Sequence, residues 1–286
     1  MSIKKIILPT DFSENALNAI RYALQLYKND SCMFFLLHTY TPAIYQAEYV
    51  VHSPGQIGLG DPRQMQVEAQ LVALQGQLVQ EFNNPKHTFV RHAAFNVFVG
   101  EVLETIKNEA VELVIMGTKG ATGAKEILFG TNTVHLIQKA KVPIIAVPRM
   151  EEYTLPKNIL FPTDYEVSYQ KTALQEFLQI AQANNAKIHV LHMTSPKGLT
   201  AVQQANKANL EFILEPYISQ FHDDPDETVI GGINAFLSKN KMDMLVMLQN
   251  KHTFLEKLFI EPTIKKIGFH VHIPFMVIPF IDHNSA

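Results

Sequence analysis

Gly117-Thr118-Lys119-Gly120, followed after nine residues by Gly130-Thr131, is the stretch of this chain best suited to chemistry, and the chemistry is phosphate binding. Leu113-Val114-Ile115-Met116 before it reads as a buried strand, and the pattern from Asn132 to Lys139 reads as a helix whose first turn begins at Gly130-Thr131. Glycines let a backbone approach an anion closely and adopt positive φ. The unpaired N–H groups and partial positive charge of a helix start attract phosphate. A phosphate is therefore expected between Gly117 and Thr131. The chain contains neither G-x-x-x-x-G-K-[ST] nor, in this loop, G-x-G-x-x-G, which excludes a Walker loop and a dinucleotide fingerprint.

The elements that must position this loop follow from apolar periodicity. Apolar runs at 3–9, 31–38, 88–95, 112–116 and 143–148 alternate with helical patterns at about 14–28, 62–82, 98–110 and 131–140. Strand and helix in alternation mean a parallel sheet wrapped by helices. Such sheets bind ligands beyond the carboxyl ends of their strands. Asp11 follows the first strand, Thr39 the second and Gly117 the fourth, so all three are expected along one crevice. Ser13, directly before a helical pattern, reads as a cap. Asp11 has two readings: a carboxylate at a strand end can hold a ribose hydroxyl, or it can tie its own loop together through Asx-type hydrogen bonds.

The chain repeats itself. Lys5-Ile6-Ile7-Leu8-Pro9-Thr10-Asp11-Phe12 returns as Asn158-Ile159-Leu160-Phe161-Pro162-Thr163-Asp164-Tyr165, Leu37-His38-Thr39 as Leu191-His192-Met193, and Val142–Pro148 as Ile273–Pro279. The seam falls in the charged stretch Arg149–Pro156, giving expected domains at 1–150 and 151–286.

Composition bounds the rest. A chain of 286 residues, 47% hydrophobic and 18% charged, has room for about two cores. A formal net charge of −3 with no dense Lys/Arg block argues against a nucleic-acid partner. The single cysteine, Cys32, fits a reducing compartment and a packing role. The opening apolar run is too short for a secretory signal, and no run of 18 apolar residues exists for a membrane span. A cytoplasmic protein without membrane attachment is expected.

Together, G-x2-G-x9-G-[ST], met by Gly117, Gly120, Gly130 and Thr131, and the Pro9-Thr10-Asp11-Phe12-Ser13 opening resemble the universal stress proteins, in the tandem form with two such domains. The resemblance covers the whole length. It implies an α/β fold of two tandem Rossmann-like domains of the adenine-nucleotide alpha-hydrolase-like type, each a five-stranded parallel sheet flanked by helices. It implies ATP, with or without Mg, as cofactor. Asp11 would face the ribose; Pro9, Thr10, Thr39 and Met116 would surround the adenine; Gly117, Gly120, Gly130, Thr131 and Asn132 would hold the phosphates. Lys119 sits where the family often has a basic residue. The family's last strand commonly pairs domains, so Val142–Val147 and Ile273–Ile278 are expected to face each other as an internal pseudo-dimer. Further pairing of two chains stays open.

The second half departs from the motif. An ungapped alignment places Leu248, Lys251, Glu261 and Pro262 opposite Gly117, Gly120, Gly130 and Thr131. Leu248 would resist positive φ by roughly 1–2 kcal/mol, Glu261 would bring a like charge, and Pro262 has no N–H to donate. Each lost N–H bond to a charged oxygen is worth about 1.5–3 kcal/mol. The second half is expected not to bind ATP, leaving one nucleotide per chain.

Other features carry less. Of twelve histidines, the pairs His189/His192 and His270/His272 have no cysteine or carboxylate completing a zinc spacing, so no metal site is expected. Thr41–Gly60, long for a connection, reads as a flap, a subunit contact or a disordered segment. No Ser/His/Asp set or paired carboxylates assign a catalytic residue. The first expectation is a nucleotide-dependent stress-response regulator whose protein partners the sequence does not name. The alternatives are a slow Mg-dependent ATP hydrolase using Asp11 to hold the metal, and an interaction scaffold without nucleotide.

Overall fold

The computed structural model describes residues 3–41, 61–118, 130–149, 154–194, 198–224, 229–249 and 272–279. Lys119 and Gly120, the 42–60 segment, His270, and the second-half positions Lys251, Glu261 and Pro262 lie outside the described residues. The chain divides into two compact units, with the described residues up to Val142 in the first and those from Pro143 onward in the second.

In the first unit β1 (Lys4–Pro9), β2 (Cys32–Thr39), β3 (His87–Ala94) and β4 (Leu113–Gly117) form a parallel sheet in the order β3-β2-β1-β4. Ile6, Ile7, Leu8, Phe34, Leu36, Val114 and Ile115 are fully buried. That is why these strands read as continuous apolar runs: helices cover both faces of a parallel sheet.

The helices are α1 (Glu14–Leu26), α2 (Pro62–Phe82), α3 (Phe98–Glu109) and α4 (Thr131–Lys139). Each begins where its local chemistry allows. Ser13 caps α1 by accepting from the Ala16 amide at 3.2 Å. Asp61 caps α2 through the Arg63 amide at 2.9 Å, with Pro62 in the first turn where its missing N–H costs nothing.

The second unit holds β5 (Ile144–Val147), β6 (Asn158–Thr163), β7 (Lys187–Met193), β8 (Ser219–Asp224), β9 (Met244–Gln249) and β10 (Phe275–Pro279), with α5 (Gln175–Ala183), α6 (Ala201–Leu214) and α7 (Val229–Lys239). The order β8-β7-β6-β9 repeats β3-β2-β1-β4, again with parallel pairing. Beyond β9, β10 runs parallel to it and pairs antiparallel with β5, matching Phe275 to Ala146, Met276 to Ile145 and Val277 to Ile144. Equivalent registers make the duplication physical. Leu113 and Val114 face Ile6 and Ile7 in the first unit, as Met244 and Leu245 face Ile159 and Leu160 in the second. Leu248 therefore occupies the strand position of Gly117.

Candidate functional site

The carboxyl end of β1 turns through a left-handed residue, Phe12 at φ 62°, a conformation rare for a side-chain-bearing residue. Three contacts hold it. The Phe12 amide donates to Thr10 Oγ1 at 3.0 Å, the Phe12 ring lies tilted against His38 at 4.7 Å between centroids, and His38 Nδ1 meets the Thr10 carbonyl at 2.7 Å. A carbonyl only accepts, so Nδ1 carries the proton and the tautomer is set. Asp11 Oδ1 accepts from the Ser13 amide at 3.1 Å and from Ser13 Oγ at 2.5 Å. One carboxylate oxygen is thus committed to the loop.

The end of β4 is tied to the start of α4 by two hydrogen bonds. The Gly130 amide donates to the Thr118 carbonyl at 2.6 Å, and Thr133 Oγ1 donates to the Gly117 carbonyl at 3.3 Å. Gly130 is the cap residue of α4 and supplies no side-chain acceptor, so the amides of the first turn keep their donor capacity for a ligand.

The glycines are needed for a different reason than positive φ. Gly130 sits at φ −61° and ψ 152°, and Gly117 is not among the residues with positive φ. What Gly117 provides is room. A Cβ there would stand 3.1 Å from both Cγ and the backbone carbonyl oxygen of Asn15, and nearer still to Nδ2. The strain argument against Leu248 is therefore replaced by a steric one, and in the second half Ser168 stands where the repeat has Asn15.

These ends enclose an open cleft of about 320 Å³, within the lower range of small-molecule sites. Pro9, Thr10, Asp11 and Thr39 line one side; Met116, Gly117, Gly130, Thr131 and Asn132 line the other. Nine of the eleven residues singled out from sequence thus meet in one place, and the other two, Lys119 and Gly120, are outside the described residues. Ala16, His38, Phe98 and Thr133 also line the cleft and were missed. Repetition of His38 as His192 was the available signal for one of them.

A sequence model of the universal stress protein family matches residues 2–148. The chain belongs to the universal stress protein family. Two universal stress proteins of Methanocaldococcus jannaschii are similar: one is 30% identical over 158 residues, 51% of this chain and 95% of its own, and the other 27% identical over 154 residues, 51% of this chain and 82% of its own. A universal stress protein from Archaeoglobus fulgidus shares the fold, with a TM-score of 0.67 at 17% identity and 97% of each chain covered. Among the described residues no helix is long and apolar enough to cross a membrane, and no group of three or more His, Cys, Asp or Glu could hold a metal.

This universal stress protein repeats the β1 turn in its second unit. Tyr165 at φ 55° copies Phe12, its amide donates to Thr163 Oγ1 at 3.1 Å, and its ring lies tilted against His192 at 4.8 Å between centroids. His192 Nδ1 meets the Thr163 carbonyl at 3.1 Å. The Thr163 hydroxyl, counterpart of the cleft-lining Thr10, is bonded to the hydroxyl of the buried Tyr169. Burial is the main cause holding the Tyr169 phenol above its ordinary value. Helix α6 clamps the same segment, with Gln203 Nε2 donating to the Asp164 carbonyl at 3.0 Å and Asn206 Nδ2 to the Tyr165 carbonyl at 2.8 Å.

Proposed function

We propose that this protein is an adenine-nucleotide-dependent regulator of the stress response, located in the cytoplasm, that binds ATP in the first of two tandem domains, 1–150, and carries a degenerate copy in 151–286. The observation that carries the proposal is the cleft itself: an uncapped helix start and a glycine strand end face the β1 and β2 ends across one opening. The residues fit the nucleotide chemically. Amides at Thr131 and Asn132 suit phosphate oxygens, Met116 and Pro9 offer apolar faces for a base, and the Asp11 carboxylate can accept from a ribose hydroxyl. Lys119 and Gly120 complete the phosphate set by motif. ATP supplies the triphosphate charge, with any Mg travelling on it.

The cleft supports holding a nucleotide better than turning it over. His38 Nδ1 and Asp11 Oδ1 are engaged in shaping the β1 turn, and neither is presented as a matched acid–base pair. Regulation then rests on different affinities of loaded and unloaded forms for partners. Hydrogen exchange with and without ATP tests the proposal. Protection is expected at the Thr131–Thr133 amides and not at 163–165; unchanged exchange around α4 would overturn it.

A further inference from the structure

We propose that the solvent face of α2 is a self-association surface, on which a second copy of this chain docks its own α2 in the antiparallel sense. This goes beyond nucleotide binding and does not depend on it. Helix α2 is 21 residues long and carries two apolar seams. Val67, Leu71, Leu74 and Leu78 are buried against the sheet of their own unit. Met65, Ala69, Val72, Gly76 and Val79 form a second seam on the exposed face, also at alternating spacings of four and three. Met65, Val72 and Val79 are 63%, 52% and 48% exposed. Single exposed apolar residues need no explanation, but a heptad seam held over two repeats is the pattern by which one helix receives another.

Complementarity selects the occupant. In an antiparallel pair, each position of one row faces the other row of the partner helix. Met65 then faces the partner's Gly76, and Val72 faces the partner's Ala69. Met65 and Val72 each meet a small residue, and the relation is reciprocal, as a two-fold interface requires. Gly76 gains a reason it otherwise lacks: a Cβ there would meet nothing within 4 Å in its own unit, while glycine inside a helix costs stability relative to alanine.

Charge agrees. The flanking positions are mostly glutamine, Gln66, Gln75 and Gln80 among them, so two copies do not repel. Glu68 falls opposite the partner's Gln75, and within a chain Arg91 Nη1 donates to Gln75 Oε1 at 2.5 Å, which brings a guanidinium to meet that carboxylate.

Sedimentation velocity of the full chain between 1 and 100 µM tests this, on the order of the concentrations where a modest helix-pair interface populates. Wild type is expected to dimerise, and Gly76→Gln to raise the dissociation constant at least tenfold while raising the melting temperature of the monomer, since the exposed helix gains a better former. Val72→Glu, which keeps Gly76, is expected to abolish the dimer at unchanged circular dichroism. A double variant, Met65→Cys with Gly76→Cys, should cross-link between chains under oxidation, whereas Met65→Cys alone should not, because the two copies of position 65 lie at opposite ends. A wild type that stays monomeric throughout overturns the proposal. So does a Gly76→Gln protein as dimeric as wild type, or cross-linking by Met65→Cys alone.

Discussion

Replacing Gly117 with alanine tests whether the cleft is shaped by space rather than by backbone dihedral. The added Cβ would stand 3.1 Å from the Asn15 Cγ and carbonyl oxygen, with Nδ2 nearer, where unstrained contacts sit at about 3.5–4.0 Å. Helix α1 must retreat from β4, and overpacking of this kind costs about 1–3 kcal/mol. Alanine at an ordinary φ returns about 0.4–1 kcal/mol by restricting the unfolded chain, so Gly117→Ala should destabilise by a net ~1–2 kcal/mol. Asn15→Ser removes the side-chain part of the clash and leaves the carbonyl part. The double variant should therefore be more stable than the sum of the single effects by about 1 kcal/mol, within the range for residues in contact. Urea midpoints of the first-unit transition, at unchanged slope, measure it. Strict additivity, or a Gly117→Ala protein as stable as wild type, would refute the steric reasoning.

Two further outcomes follow from the described contacts. Ser13→Ala removes both the α1 cap and one ligand of Asp11, and should cost about 1 kcal/mol in thermal or urea melts. In the second unit, burial first, and then repulsion from His222 and Lys187, push His189 down from 6.5 to about 4. Its folded value lies below its unfolded one, so the unfolded chain takes up the proton first, and stability contributed by neutral His189 is lost as pH falls from about 6.5 toward about 4. His222, also pushed down chiefly by burial, adds to the same limb. His189→Leu should flatten the stability-versus-pH curve in that window; an unchanged slope would contradict the assignment.

Much of the architecture was legible because it is carried by local signals. Asp61-Pro62 marks the start of α2 by cap chemistry, and the apolar runs of β1, β2 and β4 announce a sheet covered on both faces. The repeat of Pro9-Thr10-Asp11 as Pro162-Thr163-Asp164 foretold equivalent turns, and each has the same Thr, His and left-handed aromatic arrangement. What was not legible is long-range or runs against expectation. The bond from His38 to the Thr10 carbonyl spans 28 positions. Positive φ falls on Phe12 and Tyr165, where side chains disfavour it, and not on Gly117 or Gly130, where glycine would permit it. The role of Asp11 in its own loop was one of two readings, and the Ser13 contacts give that one its geometry while Asp11 still lines the cleft.

The most direct test of the central claim is calorimetric titration of ATP into the full chain, beside Gly130→Glu, which copies Glu261 into the start of α4. Closing that start with a carboxylate removes room and adds repulsion at the amides of Thr131 and Asn132, each worth about 1.5–3 kcal/mol to a charged oxygen. One equivalent bound by wild type and none by Gly130→Glu is the predicted result. Two equivalents, or binding that survives the substitution, would contradict nucleotide binding by the first domain alone, and no binding in wild type would contradict the nucleotide function itself.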